Sequence, residues 1–169
     1  MFKRLIAVIL GTILLASSCA AEQSAGSKNG TDKGENATRI KFIIPDSRFY
    51  DVWIVDEKQI KDTTPQAIIK ELLKYPKIFP EGSKLLNIQV KEYIAYVDMN
   101  NEFDSYNLGS SGTNEILYSI VNTLCLNESL GINGVKFLIE GKEVKYIGEF
   151  VADSVKKPHI KLSELEYKQ

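Results

Sequence analysis

A chain of 169 residues with 21 Lys and Arg against 22 Asp and Glu carries a formal net charge of −1. That balance leaves no basic stripe for a nucleic acid and no acidic run for a disordered tail. The length fits one domain with appendages. Two cysteines, Cys19 and Cys125, offer neither a disulfide framework nor paired metal-ligand spacing.

Lys3 and Arg4 precede an apolar run of 12 residues, Leu5 to Ala16. A helix needs roughly 20 residues to span a bilayer, so residues 1–18 read as a secretion signal. Ser17 and Ser18 lead straight into Cys19, which is similar to the lipobox of bacterial lipoproteins, where the cysteine becomes the lipidated N-terminus. Ala16 departs from that pattern, standing where a lipobox usually has Leu, Val or Ile; the plainer alternative is an ordinary signal peptide with a cysteine beside it. Cleavage before Cys19 removes two of the 21 basic residues and no acidic one, leaving a net charge of −3.

Residues 20–38 hold Gly, Ser, Asn, Lys, Glu and Asp with no large apolar side chain. Such a segment buries too little to order itself. Together with Cys19 it reads as an anchor and a slack tether (19–38), with an r.m.s. reach of roughly 24 Å.

The ordered body begins at residue 39. Ile40, Phe42 and Ile44 alternate up to Pro45, a pattern that predicts an edge strand, and Asp46 to Arg48 predicts a turn. Val52 to Val55 forms a second strand around Trp53. Thr64 as N-cap and Pro65 in the first helical position start a helix carrying Ile68, Ile69, Leu72 and Leu73, stopped at Tyr75-Pro76. After a turn at Phe79 to Gly82, the best-specified object in the chain is a hairpin across Leu85 to Met99. Its expected register sets Val90 opposite Ala95, Ile88 opposite Val97 and Leu86 opposite Met99, all facing a core, around a two-residue turn at Glu92-Tyr93.

A polar loop spans Asn100 to Gly112. The strongest helical pattern follows, capped by Ser111 or Thr113, with Ile116, Leu117, Ile120, Val121 and Leu124 on one face. Val135, Phe137 and Ile139 then alternate in a strand ending at Gly141-Lys142. From Tyr146 onward the pattern weakens, and residues 151–169 read as an irregular, weakly ordered tail. Helices and strands interleave while the hairpin forces an antiparallel pair. The fold class is therefore α+β: a two-layer sandwich of a mixed or antiparallel sheet with two helices on one face.

Several constellations bear on chemistry. Asp98, Asn100, Glu102 and Asp104 place oxygens at every second position, as a calcium loop does. The required glycine is replaced by Phe103 and the closing glutamate is missing. Gly109 to Thr113 could present amides to an anion but lacks the lysine of a phosphate loop. His159 is the sole histidine and has no nucleophile motif beside it, so it reads as a solvated tail residue. Cys125 reads as a buried free thiol, and Asn122 as a structural amide bonded to loop backbone. No catalytic residue, metal site or cofactor is assigned.

Phe79 to Leu86, Ile94 to Asp98 with Phe103, Tyr118 to Leu124 and Val135 to Lys142 occur together in an order that resembles the GerMN (sporulation and spore germination) domain family. The resemblance covers about residues 40–148 within a domain of 39–150. Tyr93 departs from the family's turn glycine. The resemblance implies a small α+β domain similar to ring-building motifs, acting as a binding or assembly module without established catalytic residues. Members of that family include lipoproteins, and together with the leader and tether the resemblance gives an expected place at the extracytoplasmic face of the cell membrane, with an envelope or sporulation protein or a second copy as partner. The charge balance leaves out nucleic acid, and a domain this small offers no deep cleft for a small-molecule substrate. The alternative is a component of cell-wall remodelling.

Opposite the core face of the hairpin, Leu85, Ile94 and Tyr96, joined by Leu138, form an apolar set too large for a face meant for water alone. They are the candidate partner surface, unless the N-terminal strands and the tail cover them, which is the expected arrangement.

Overall fold

The computed structural model describes residues 37–46, 48, 52–104 and 109–167. Cys19, the leader and the tether lie outside them. The element order is β1 (Thr38–Pro45), β2 (Trp53–Ile60), α1 (Pro65–Leu72), β3 (Leu85–Lys91), β4 (Ile94–Met99), α2 (Gly109–Cys125) and β5 (Gly134–Ile139). Four two-residue strands follow: β6 (Lys142–Glu143), β7 (Tyr146–Ile147), β8 (Phe150–Val151) and β9 (Glu166–Tyr167).

The main sheet has the order β3-β4-β5-β6. β3 and β4 are antiparallel, and Val90 meets Ala95 and Ile88 meets Val97, as the alternation predicts. β4 and β5 run parallel, with Val97 beside Phe137. A parallel pair needs a long crossover, and α2 supplies it. α1 and α2 pack against this sheet. Ile68, Ile69 and Leu72 of α1 share a core with Ala95, Val97 and Met99 of β4, Val135 and Phe137 of β5, and Leu117, Ile120 and Leu124 of α2. The α+β class, the mixed sheet and the two helices therefore stand as expected.

Local signals explain the helix ends. Thr64 accepts a hydrogen bond from the Ala67 amide at 3.3 Å, with Pro65 in the first turn. Beyond Leu72, Pro76 disfavours helical backbone at Tyr75. The Tyr75 hydroxyl instead donates to Asp56 at 2.6 Å, and Lys58 Nζ sits 4.3 Å from the Tyr75 ring centroid. Burial, and then the Asp56 carboxylate, push the Tyr75 hydroxyl well above its ordinary pKa. These contacts fasten the end of α1 to β2.

Three expectations are corrected. A β-bulge interrupts the β3–β4 pairing between Leu85 and Asn87, so Leu85 rather than Leu86 faces Met99. Leu85 is in the core and Leu86 is exposed. An extra residue on one strand sends every side chain beyond it to the other face. Second, the helix begins at Gly109, so the loop after Asn100 is shorter than predicted. Thr113 lies inside the helix and donates to the Gly109 carbonyl at 2.9 Å rather than capping from outside.

Third, β1 and β2 do not lie on the open face of the main sheet. They form a separate sheet, β1-β2-β9, whose outer strand β1 packs on α2. The Asn127 carboxamide bonds β1 as a neighbouring strand would: its oxygen accepts from the Lys41 amide at 2.9 Å and its nitrogen donates to the Lys41 carbonyl at 2.8 Å. Thr123 Oγ1 accepts from the Ile43 amide at 3.0 Å. Side chains of α2 and the turn after it thus satisfy the edge of β1. Ile43, Trp53 and Val55, on the reverse of this sheet, pack with Ile160, Leu162 and Leu165 of the C-terminal segment.

Glu92 and Tyr93 both have positive φ, 48° and 65°. Two consecutive residues there define the primed turn that suits a two-residue hairpin, yet neither is Gly or Asn. The resulting strain is about 1–3 kcal/mol for each of the two residues. Replacing the pair by Asn-Gly (Glu92→Asn with Tyr93→Gly) is expected to stabilise the domain by that amount in urea unfolding, and a destabilised double variant would contradict the turn assignment.

Candidate interaction surface

Register places Ile94, Tyr96 and Asp98 of β4 beside Gly134, Lys136 and Leu138 of β5 on the face away from the helices. Asn87, Gln89 and Lys91 of β3 extend the same face. Of the four residues expected to form a partner surface, Ile94, Tyr96 and Leu138 lie here, each half-buried, whereas the bulge has moved Leu85 into the core. Lys91 Nζ stands 5.8 Å from the Tyr96 ring centroid.

One corner of the face is covered by the C-terminal segment. Val135 and Lys156 exchange backbone hydrogen bonds of 2.8 and 2.7 Å, adding a one-residue bridge beside β5. Lys136 is buried beneath it, donating to the Asp153 carbonyl at 2.5 Å and lying 3.4 Å from Glu143. Gly134 permits this approach. A Cβ there would stand 2.6 Å from Val155 Cγ1 and 3.2 Å from the Lys156 carbonyl oxygen.

The sharper apolar exposure lies at the other end of the sheet. Leu86 (44%), Val90 (45%) and Tyr93 (66%) are open along β3 and its turn. Alternation placed Leu86 and Val90 in the core and gave no reason to expect them outside. The available signal was Tyr93, a bulky residue where the turn asks for positive φ.

Residues that suggested chemistry are otherwise engaged. Asp98 Oδ1 accepts from the Gly141 amide at 2.8 Å and Asp104 Oδ1 from the Gly148 amide at 2.9 Å. Asn100 accepts from the Lys84 amide at 2.7 Å and donates to the Gly82 carbonyl at 2.9 Å. The calcium-like spacing therefore builds three separate loop clamps rather than one convergent shell. Among the described residues no cluster of three His, Cys, Asp or Glu could hold a metal. His159 is exposed but not merely solvated: its ring lies 5.3 Å from Trp53 and 4.1 Å from Tyr118, centroid to centroid. A shallow crevice between Phe103, Thr113, Ile116 and Ile147 has space for about one water molecule. No helix among the described residues is long and apolar enough to cross a membrane.

Cys125 is a free thiol, half-buried at the edge of the core rather than fully buried as expected, and desolvation there pushes its pKa up to about 12. The thiolate is the reactive form. Iodoacetamide at pH 8 is expected to modify Cys125 far more slowly in the folded chain than in urea, and equal rates would contradict the burial.

Asn122 is fully buried, and neither amide atom has a hydrogen-bond partner. The expected bond to loop backbone is not made; the neighbouring Asn127 carboxamide bonds the backbone of β1 and α2. An unsatisfied buried amide costs about 1–3 kcal/mol. Asn122→Leu is therefore expected to raise stability by that amount in thermal unfolding, whereas a loss would show that the amide is engaged.

The class so defined is a small α+β domain: a mixed four-stranded sheet, two helices on one side, and a second small sheet against the longer helix. The chain belongs to the sporulation and spore germination family (Germane), which matches residues 31–145. Among solved structures it is similar to the first GerMN domain of the sporulation protein GerM from Bacillus subtilis, at 20% identity and TM-score 0.53, over 72% of this chain and 96% of that one. The tandem GerMN domains of the same protein match at 20% identity and TM-score 0.52, over 72% of this chain and 45% of theirs. A protein of Clostridium perfringens described as a candidate lipoprotein matches at 19% identity and TM-score 0.50, over 71% of this chain and 85% of that one. No curated protein sequence matches.

Proposed function

We propose that this chain is a lipid-anchored, non-catalytic binding or assembly module on the extracytoplasmic face of the cell membrane, serving sporulation or spore germination. The observation that carries the reading is the family match across residues 31–145, which takes in both helices and the whole main sheet. The leader ending at Cys19 and the apolar-free tether that follows support the anchor. Asp98, Asn100 and Asp104 hold backbone amides and carbonyls, which favours scaffold over reaction centre. Ile94, Tyr96 and Leu138 are proposed to contribute to the partner-facing side.

Radioactive palmitate labelling of the full chain tests the anchor. Label is expected in the parent and absent from Cys19→Ala, and undiminished label in that variant overturns lipidation. A pull-down from native membranes tests binding. A specific envelope or sporulation protein, or another copy of the chain, is expected, and recovery of the chain alone as a monomer overturns the module reading. Clearing of peptidoglycan in a zymogram, lost on Asp98→Asn or Glu102→Gln, would replace it with cell-wall hydrolysis.

A further inference from the structure

The main core ends at Ala152. Its side chain is fully buried, and its amide donates to the Lys145 carbonyl at 2.8 Å. Among the described residues no apolar side chain beyond it joins that core. Ile160, Leu162 and Leu165, each half-buried, pack instead with Ile43, Trp53 and Val55 in a second, smaller cluster. The remaining attachments are slight. They are the two backbone bonds between Val135 and Lys156, the Lys136 ammonium on the Asp153 carbonyl, the His159 ring against Trp53 and Tyr118, and the two-residue β9 beside β2. Asp153, Ser154 and Val155, all exposed, separate the fixed Ala152 from the Val135 bridge. The whole segment lies beyond residues 31–145, the part that matches the family. A segment with few buried apolar contacts opens at a lower free energy than the core beside it.

We propose that residues 153–167 are a strap that opens as one unit, hinged after Ala152, while both helices and the main sheet stay folded. What the strap covers gives the motion a consequence. β6 covers the outer edge of β5 at Leu138 and Ile139, and the strap covers it at Val135. Opening frees the Val135 amide and carbonyl, the groups by which an edge strand pairs. It also exposes the buried Lys136 ammonium and Trp53, the sole tryptophan. The closed strap withholds all three. Gly134 sets how close it can lie, since a Cβ there would meet Val155 Cγ1 at 2.6 Å and the Lys156 carbonyl oxygen at 3.2 Å. Ile94 Cδ1, also at 3.2 Å, is the end of a flexible side chain and can turn aside, whereas β-branched Val155 is stiff at its first torsion and the carbonyl is backbone. Neither the lipid anchor nor a partner is needed for this motion.

Native-state hydrogen exchange of the full chain in detergent tests the strap. The Val135 and Lys156 amides are expected to share one opening constant, at least about tenfold above that of the β4 amides. Gly134→Ala is expected to raise that constant by about tenfold or more and to leave β4 unchanged. The same variant is expected to increase acrylamide quenching of Trp53 and to speed acetylation of Lys136. Leu162→Ala weakens the strap from its other end, in the smaller cluster, and is expected to raise the same constant at Val135 and Lys156. Opening constants that differ between Val135 and Lys156, or that equal those of β4, would overturn the strap. A Leu162→Ala variant with no effect at Val135 would overturn its opening as a single unit, whatever Gly134→Ala does to the sheet.

Discussion

Phe137→Ala is expected to destabilise the domain by about 3–5 kcal/mol in urea unfolding. Phe137 is fully buried at the centre of β5, beside Val97 of β4 and in the core that α2 closes. Its ring meets Phe150 edge-on, with centroids 6.4 Å apart, and Phe150 meets Tyr118 of α2 in the same way at 5.7 Å. Truncation would open a cavity between a parallel strand pair and its own crossover helix. Neither wall can move far without breaking the ladder. Set against a typical stability of about 5–15 kcal/mol, such a loss leaves many domains marginal. A cost below about 1 kcal/mol would mean that the site collapses freely and that β5 is not central to the core.

Asn127→Leu is expected to cost about 2–4 kcal/mol, although the new side chain is the more apolar one. Asn127 makes three hydrogen bonds through one carboxamide: from the Lys41 amide at 2.9 Å, to the Lys41 carbonyl at 2.8 Å and to the Thr123 carbonyl at 2.7 Å. Leucine leaves the two Lys41 groups without these partners, and unsatisfied backbone groups away from water each cost about 1–3 kcal/mol. Asn127→Asp keeps the acceptor but sets a carboxylate oxygen against the Lys41 and Thr123 carbonyls in a buried site, so a loss at least as large is expected. If Asn127→Leu were neutral, the turn after α2 would not be what completes the edge of β1. Hydrogen exchange gives an independent reading, with the Lys41 and Ile43 amides losing protection in Asn127→Leu before those of β4 and β5.

These two residues differ in how far sequence foretold them. Phe137 stands in a clean alternation with Val135 and Ile139 and was legible as core. Asn127 was not, because nothing local distinguishes an amide that replaces a strand from one that faces water. The polar residues of α2 carried a partial signal. Ser119, Asn122 and Thr123 interrupt an otherwise apolar helix, and all three are buried. Such a helix has neighbours on more than one side, which is how α2 comes to touch both β1 and β5. Reading a single apolar stripe predicted one covered face and left the N-terminal hairpin to be placed elsewhere.

The doublet Leu85-Leu86 shows a second kind of limit. Either leucine satisfies the core pattern, so period-two alternation cannot reveal an inserted residue between two identical side chains. Packing of Met99 against one of them settles the matter, and the other is left at the edge of the sheet. Val90 is in phase with the core and still exposed, since facing the core side and being covered by a helix are separate conditions.

Periodicity was sufficient, without any fold, to specify both helices, the hairpin pairing of Val90 with Ala95 and Ile88 with Val97, and the α+β class, and capping to place the start of α1, because each depends on residues near one another in the chain. The β1-β2-β9 sheet, the bulge that exchanges Leu85 for Leu86 and the amide clamp on Lys41 depended on tertiary structure. In each of them a backbone group or an apolar side chain is satisfied by a partner distant in sequence, and local spacing carries no record of which partner will arrive.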